Sequence, residues 1–241
     1  MGKCQQQLQS PLFARLPAEI RLEIYQAVLG DSDRVTKVFH SDDRLHYARC
    51  PPYRHKHTAE ERQNRRLLSL LQACKAIHSE AYKMLYTANP FQLMAPMHRR
   101  NTTFVTFIQS LRTDCLISIR HLELHCTFAS LRYVGARSVL AGNMDYWKPV
   151  CTQLQKMAGL ETLELTIKID SGPWIPPKGS SWFFDVFNPL LPVRVPRFVV
   201  RMGFDIPQKE RDNSYLWNGG DLQFELVVDQ ALQPLPEPEE D

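Results

Sequence analysis

Leu160-Glu161-Thr162-Leu163-Glu164-Leu165-Thr166-Ile167-Lys168-Ile169 alternates apolar and polar side chains from Thr162 onward. Residues two apart along a strand share a face, so Leu163, Leu165, Ile167 and Ile169 line one side and Thr162, Glu164, Thr166 and Lys168 the other. The stretch predicts a strand with one buried and one wetted face. Before it, Trp147, Val150, Cys151, Leu154 and Met157 recur at steps of three and four, and Gly159 closes the run, which predicts an amphipathic helix. Further upstream, Ser118 to Cys126 repeats the strand pattern, with Leu122, Leu124 and Cys126 inward and His121, Glu123 and His125 outward. A strand, a helix and a second strand of these lengths form a unit whose strands lie parallel in one sheet.

The same grammar extends in both directions. Toward the C-terminus, a short helix around Trp182 to Phe187 precedes Arg197 to Phe204, where Phe198, Val200, Met202 and Phe204 alternate with Arg197 and Arg201. Leu222 to Val228 alternates again. Toward the N-terminus, Asn101-Thr102 can cap a helix carrying Phe104, Phe107, Ile108 and Leu111, and Phe91 to Met94 reads as a short strand. The expected fold class is α/β, with a mostly parallel sheet and helices on one face. A Leu-x-Leu strand after a helix, returning at intervals of roughly forty residues, resembles the unit of a leucine-rich repeat, although the Asn ladder of such repeats is absent. Helices on one face leave the other open. That face would present His121, Glu123, His125, Thr162, Glu164, Thr166, Lys168, Arg197, Arg201, Gln223 and Glu225. Open sheet faces of mixed charge are what solenoids use to hold other proteins.

Before this region the pattern is helical. Leu16-Pro17-Ala18-Glu19-Ile20-Arg21-Leu22-Glu23-Ile24-Tyr25-Gln26-Ala27-Val28-Leu29 predicts one short helix with Pro17 at its first position, Glu19 in its first turn and Gly30 as a left-handed stop. Ile20, Ile24, Ala27 and Val28 form one apolar stripe, and Leu22, Tyr25 and Leu29 a second. So wide an apolar girth calls for two neighbours. A long amphipathic helix is expected over Arg65 to Leu85, with Leu67, Leu71, Cys74, Ile77, His78, Ala81 and Leu85 on the face that clamps the first helix. His78 is read as structural.

Two blocks carry a family resemblance: Leu16-Pro17-x-Glu19-Ile20 with Ile24 and Val28-Leu29, and Leu67 to Ala81 with its Cys74-Lys75 and Glu80-Ala81 pairs, followed by Leu85-Tyr86 and Asn89-Pro90-Phe91. Together they resemble the F-box-like domain of proteins from filamentous fungi, over the first ninety or so residues. The resemblance implies a non-enzymatic adaptor. In it, Leu16, Pro17, Ile20, Ile24 and Val28 match the positions that contact a Skp1-type subunit of a ubiquitin ligase. The repeat-like sheet would then hold a protein substrate on His121, Glu123, His125, Glu164, Lys168, Arg197 and Arg201. A stand-alone protein-interaction scaffold without a ligase link is the alternative, followed by a nucleic-acid-associated protein.

The last alternative rests on residues 31–66, which read as an insert in the helical region. Arg44, Arg49, Arg54, Lys56, Arg62, Arg65 and Arg66 interleave there with Tyr47 and Tyr53, but Glu60 and Glu61 interrupt the series. Val35 to Phe39 can add a short strand. Cys50, His55 and His57 lack a second close pair at zinc-finger spacing, and His121 and His125 stand too far apart along a strand to share an ion easily, so no metal or other cofactor is expected. No phosphate-binding loop, dinucleotide fingerprint, G-x-S-x-G or H-E-x-x-H occurs among the 241 residues, and glycines number only 10. The six cysteines show no paired spacing and read as reduced thiols. A net charge of +3 is too small to demand a polyanionic partner. No apolar run suits a membrane span, and an intracellular protein of cytoplasm or nucleus is expected. The expected organisation is a mobile lead-in over 1–11, a helical region over 12–90 with the basic insert, a repeat-like α/β region over 91–230 and an acidic Pro-rich tail over 231–241.

Overall fold

Alternation along each strand sets apolar residues of neighbouring strands side by side. The computed structural model describes residues 10–30, 35–41, 44–50, 66–96, 103–129, 136–170, 182–203 and 223–229. In chain order they form α1 (Pro11–Arg15), α2 (Ala18–Leu29), β1 (Val35–Ser41), β2 (Arg44–Cys50), α3 (Arg66–Ala73), α4 (Lys75–Thr87) and β3 (Pro90–Pro96). Then come α5 (Thr103–Ser110), α6 (Thr113–Leu116), β4 (His121–Ala129), α7 (Ala136–Lys156), β5 (Thr162–Asp170), α8 (Trp182–Phe187), a 3-10 turn (Asn188–Leu190), β6 (Arg197–Met202) and β7 (Glu225–Val228). The seven strands make one sheet in the order β2-β1-β3-β4-β5-β6-β7. β2 is antiparallel to β1, and the other pairs are parallel. The fold is mixed α/β with a mostly parallel sheet, as the alternation predicts.

Leu93, Leu124, Leu165 and Val200 stand abreast across β3 to β6, all fully buried. Phe91, Leu122, Leu163 and Phe198 form the neighbouring row. Against these rows α5 packs Phe104, Phe107 and Ile108, and α7 packs Trp147, Val150, Cys151 and Leu154. The Trp147 indole meets the Phe128 ring edge-on at 5.7 Å and donates to the Val186 carbonyl at 2.8 Å, so its one polar atom is satisfied in the core. Gly159 is required by close approach: a Cβ there would lie 1.8 Å from the Ile117 carbonyl oxygen. Arg120 fastens the same corner by donating to the Ile117 and Gly159 carbonyls at 2.9 and 2.7 Å.

Several elements differ from the sequence reading. Residues 35–41 and 44–50 lie within the stretch read as an insert, yet they form a hairpin whose β1 pairs with β3 and so extends the sheet. The sheet therefore continues across position 90, where the sequence reading divides the chain. The single helix expected over Arg65 to Leu85 is two, because Cys74 is extended at φ −162° and ψ 163° and caps α4 with its own Sγ, which accepts from the Ile77 N–H at 3.4 Å. Pro17 precedes the first turn of α2 instead of joining it. Gly30 is no left-handed stop: at φ −83° and ψ 141° it is extended, and its small size matters because a Cβ would meet the Gln26 carbonyl oxygen at 2.7 Å. The basic residues Arg54, Lys56, Arg62 and Arg65, the histidines His55 and His57, Phe204, Leu222, most of the lead-in and the acidic tail lie outside the described residues.

The N-terminal helices have their own small core of Tyr25, Leu29, Leu71, Ile77 and Ala81. Asn89, just before β3, fastens α2 to α4. Fully buried between α4 and β3, its amide nitrogen donates to the Leu29 and Leu85 carbonyls at 2.8 Å each, tying off the ends of α2 and α4. Asn89→Ala is expected to lower the unfolding free energy by about 1–3 kcal/mol in urea denaturation, since two helix-end carbonyls lose a donor. The Thr36 hydroxyl, buried on β1, finds no partner among the described residues. Thr36→Val keeps the shape and removes the unsatisfied group, so the same measurement should show a gain of roughly 1 kcal/mol.

Candidate functional site

The α2 helix is apolar around much of its girth, and its own protein covers one side. Tyr25 and Leu29 are fully buried against α4, while Ile20, Ile24 and Val28 are 41, 37 and 46 % exposed. The choice of side is electrostatic. Arg21 Nη2 and Nε donate to the two Glu80 oxygens at 2.8 and 3.1 Å, and the Tyr25 hydroxyl adds a third bond at 3.1 Å. Arg21 also donates to the Leu16 carbonyl at 2.8 Å and lies over the Phe13 ring, which fixes the approach of α1. Hydrogen bonds from Arg21, opposed by burial and joined by Tyr25, hold the Glu80 carboxyl below the usual carboxylate range. Burial and the Glu80 hydrogen bond push the Tyr25 phenol up.

Each residue predicted to contact a partner at this end is thus accessible in some measure. Leu16 is half-buried at the α1–α2 corner, and Pro17, Ile20, Ile24 and Val28 are exposed. Leu22 shares a stripe with Tyr25 and Leu29 by sequence and is nevertheless 39 % exposed, because Tyr25 and Leu29 fill the contact with α4. Periodicity could not distinguish these neighbours.

The second candidate surface is the side of the sheet opposite α5 and α7. His121, Glu123, His125, Glu164, Lys168, Arg197 and Arg201 all project there, on β4, β5 and β6, and all are half-buried except Arg197, which is exposed. The structure brings several of them into pairs. Arg201 Nε donates to Glu164 at 2.6 Å, and His121 Nδ1 lies 2.9 Å from the Thr162 hydroxyl. His125 Nε2 lies 2.8 Å from Glu123 and 3.0 Å from the Gln92 amide nitrogen. Burial raises the Glu123 carboxyl, but hydrogen bonds from His125 and Gln92 and the charge of Lys37 outweigh it and leave the group below its usual range. Gln92 and Lys37 come from β3 and β1, and the sequence reading missed both. Met94, 50 % exposed, adds an apolar point on this face, and Phe39 stacks on His46 at 5.5 Å beside it. The signal was the β-branched and aromatic content of Val35, Thr36, Val38 and Phe39, followed beyond two acidic residues by Leu45 and Tyr47.

Chemically, both surfaces suit recognition. The buried thiols of Cys126 and Cys151 are pushed well above the thiolate range by desolvation, so they act as small apolar packing groups. Among the described residues, no group of three or more His, Cys, Asp or Glu side chains is placed to hold a metal ion. No helix among them is long and apolar enough to cross a membrane.

One family, described as Domain of unknown function (DUF7730), matches residues 5–213. No curated protein and no solved structure matches the chain.

The Glu80 lock has a pH signature. A carboxylate that titrates lower in the folded than in the unfolded chain contributes stability above the ordinary Glu range and loses it as pH falls through the depressed value. Thermal unfolding should therefore show Glu80→Gln melting below wild type at neutral pH, with the gap narrowing in acid. A gap independent of pH would contradict this assignment.

Proposed function

The chain belongs to the DUF7730 family, and from that premise we propose that it is a non-enzymatic adaptor acting in the cytoplasm or nucleus. In this reading α2 docks a Skp1-type subunit of a ubiquitin ligase, and the open sheet face holds a substrate protein. The observation that carries it is the division of α2: Tyr25 and Leu29 are buried by the protein's own α4, and Ile20, Ile24 and Val28 face outward. Those exposed residues, with Leu16 and Pro17, are the positions at which the sequence resembles an F-box helix. An isolated exposed aliphatic side chain is ordinary, whereas three in one stripe beside Pro17 form a surface that a partner helix can cover.

Desolvating such a side chain at the centre of an interface contributes on the order of 2 kcal/mol. Paired carboxylates and cations across the sheet supply the second half of the reading, because rim charges select partners more than they add affinity. Co-purification with a Skp1-type subunit tests the first half. Wild type is expected to capture it, and Leu16→Asp with Ile20→Asp to lose it while keeping the circular dichroism of the fold. A folded wild type that captures nothing would leave a stand-alone interaction scaffold as the better account.

A further inference from the structure

A groove runs along a different face of α4. Lys75, His78, Tyr82 and Leu85 recur on that face at steps of three and four, and two hollows open along it. The deeper, about 200 Å³, has Leu71, Leu85 and Leu111 among its walls, with Tyr82, Cys115 and Arg112 around them. The shallower, about 300 Å³, shares Leu71 and His78 with it and continues to Cys74 and Lys75. The two are thus neighbours along the helix, with Leu71 and His78 between them.

The groove is built, not merely left over. His78 stacks on the Tyr82 ring with 5.4 Å between centroids and 9° between planes, and the Arg112 guanidinium lies 5.7 Å from the same ring. The Tyr82 hydroxyl donates to Asp114, which also receives Arg112 Nη2 at 3.1 Å. Hydrogen bonding to Asp114 raises the Tyr82 phenol and lowers the carboxyl, so this acid is held as a buttress. Burial raises the Cys115 thiol, which leaves an uncharged wall. Arg112 keeps 73 % of its side chain exposed, and Lys75 is exposed at the far end.

We infer that this groove binds an extended segment of a partner protein in which one Leu-sized side chain is flanked by carboxylates. The deeper hollow is smaller than the roughly 300 Å³ at which small-molecule pockets begin, and it matches a single aliphatic anchor. Its walls are mostly apolar, Lys75 stands at one end, and at the other Arg112 and Lys83, both over the Tyr82 ring, outweigh the Asp114 carboxylate, so the flanking charges of the ligand are negative. From Lys75 to Tyr82, over whose ring the other cations lie, the helix rises about 10 Å, the reach of about three extended residues. A nucleic acid fits less well, since its anionic backbone has no use for an aliphatic hollow and these cations neutralise few phosphates. The inference goes beyond the docking of α2 and does not depend on it.

The test is an NMR titration of the ¹⁵N-labelled full chain with the capped peptide Glu-Glu-Leu-Glu-Glu. Saturable shifts are expected at the amides of Leu71, Cys74, His78, Tyr82 and Arg112. Replacing the peptide's Leu by Ala, or its Glu residues by Lys, should weaken binding at least tenfold. So should Lys75→Glu with Lys83→Glu, both at exposed positions outside the Arg112–Asp114–Tyr82 hydrogen bonds, with the remaining amide spectrum unchanged. The inference is overturned if the groove amides do not shift, or if all three peptides bind alike. Tighter binding of a ten-residue oligothymidylate at the same amides would also overturn it. Loss of peptide binding in Ile20→Asp with Ile24→Asp would place the peptide on α2 and overturn it too, whereas failure of α2 to capture a ligase subunit leaves it untouched.

Discussion

The Glu80 carboxylate receives hydrogen bonds from the Arg21 guanidinium at both oxygens and from the Tyr25 hydroxyl at one of them. Arg21 and Tyr25 sit one turn apart on α2, and Glu80 sits on α4, so the bonds set the rotation of one helix against the other. With 13 % of the Arg21 side chain and 30 % of the Glu80 side chain exposed, the pair is sheltered enough to be well ordered, and its donors match the carboxylate in a forked geometry. Without such a constraint, a helix apolar on two sides could bury either. With it, Tyr25 and Leu29 go inward, and Ile20, Ile24 and Val28 remain outside.

The sheet solves a different problem. Its helix-facing rows are apolar except for Thr36 on β1, which gives one continuous core beneath α5 and α7. On the opposite side the polar residues neutralise one another across strands, as Glu164 does with Arg201, so the face can be both charged and well ordered. Cross-strand ion pairs of this exposure contribute little stability. Their consequence is a fixed pattern of charge, with Arg197 exposed at one end and the Met94 thioether exposed nearer the hairpin.

Strands β4 and β5 were legible because each repeats the same alternation for six or more residues, long enough that a helical period does not fit, and β6 keeps it at Phe198, Val200 and Met202 with Val199 the exception. The α7 helix was legible from its Trp147 to Met157 face. The break at Cys74 was not, since Leu71, Cys74, Ile77 and Ala81 keep helical spacing straight through it and only the backbone angles reveal the cap. The β1–β2 hairpin was half legible: β-branched and aromatic residues mark Val35 to Phe39, but the charged residues around them suit a loop equally well until β3 offers an edge to pair with. The groove on α4 escaped entirely. Arg112 and Cys115 lie some thirty residues from Tyr82, and no local pattern joins them.

The sequence by itself determined the class of fold, because side-chain period is a local property: two residues per repeat for strands and between three and four for helices. It also determined that α2 carries more apolar surface than one neighbour can cover. Tertiary structure alone decided which stripe of α2 stays outside, which polar residues of the sheet become partners, and that a hairpin from the basic stretch extends the sheet. Each of these depends on contacts between residues far apart in the chain, such as Arg21 with Glu80 or Lys37 beside Gln92. Their free energies exist only once the backbone has brought the partners within a few ångströms.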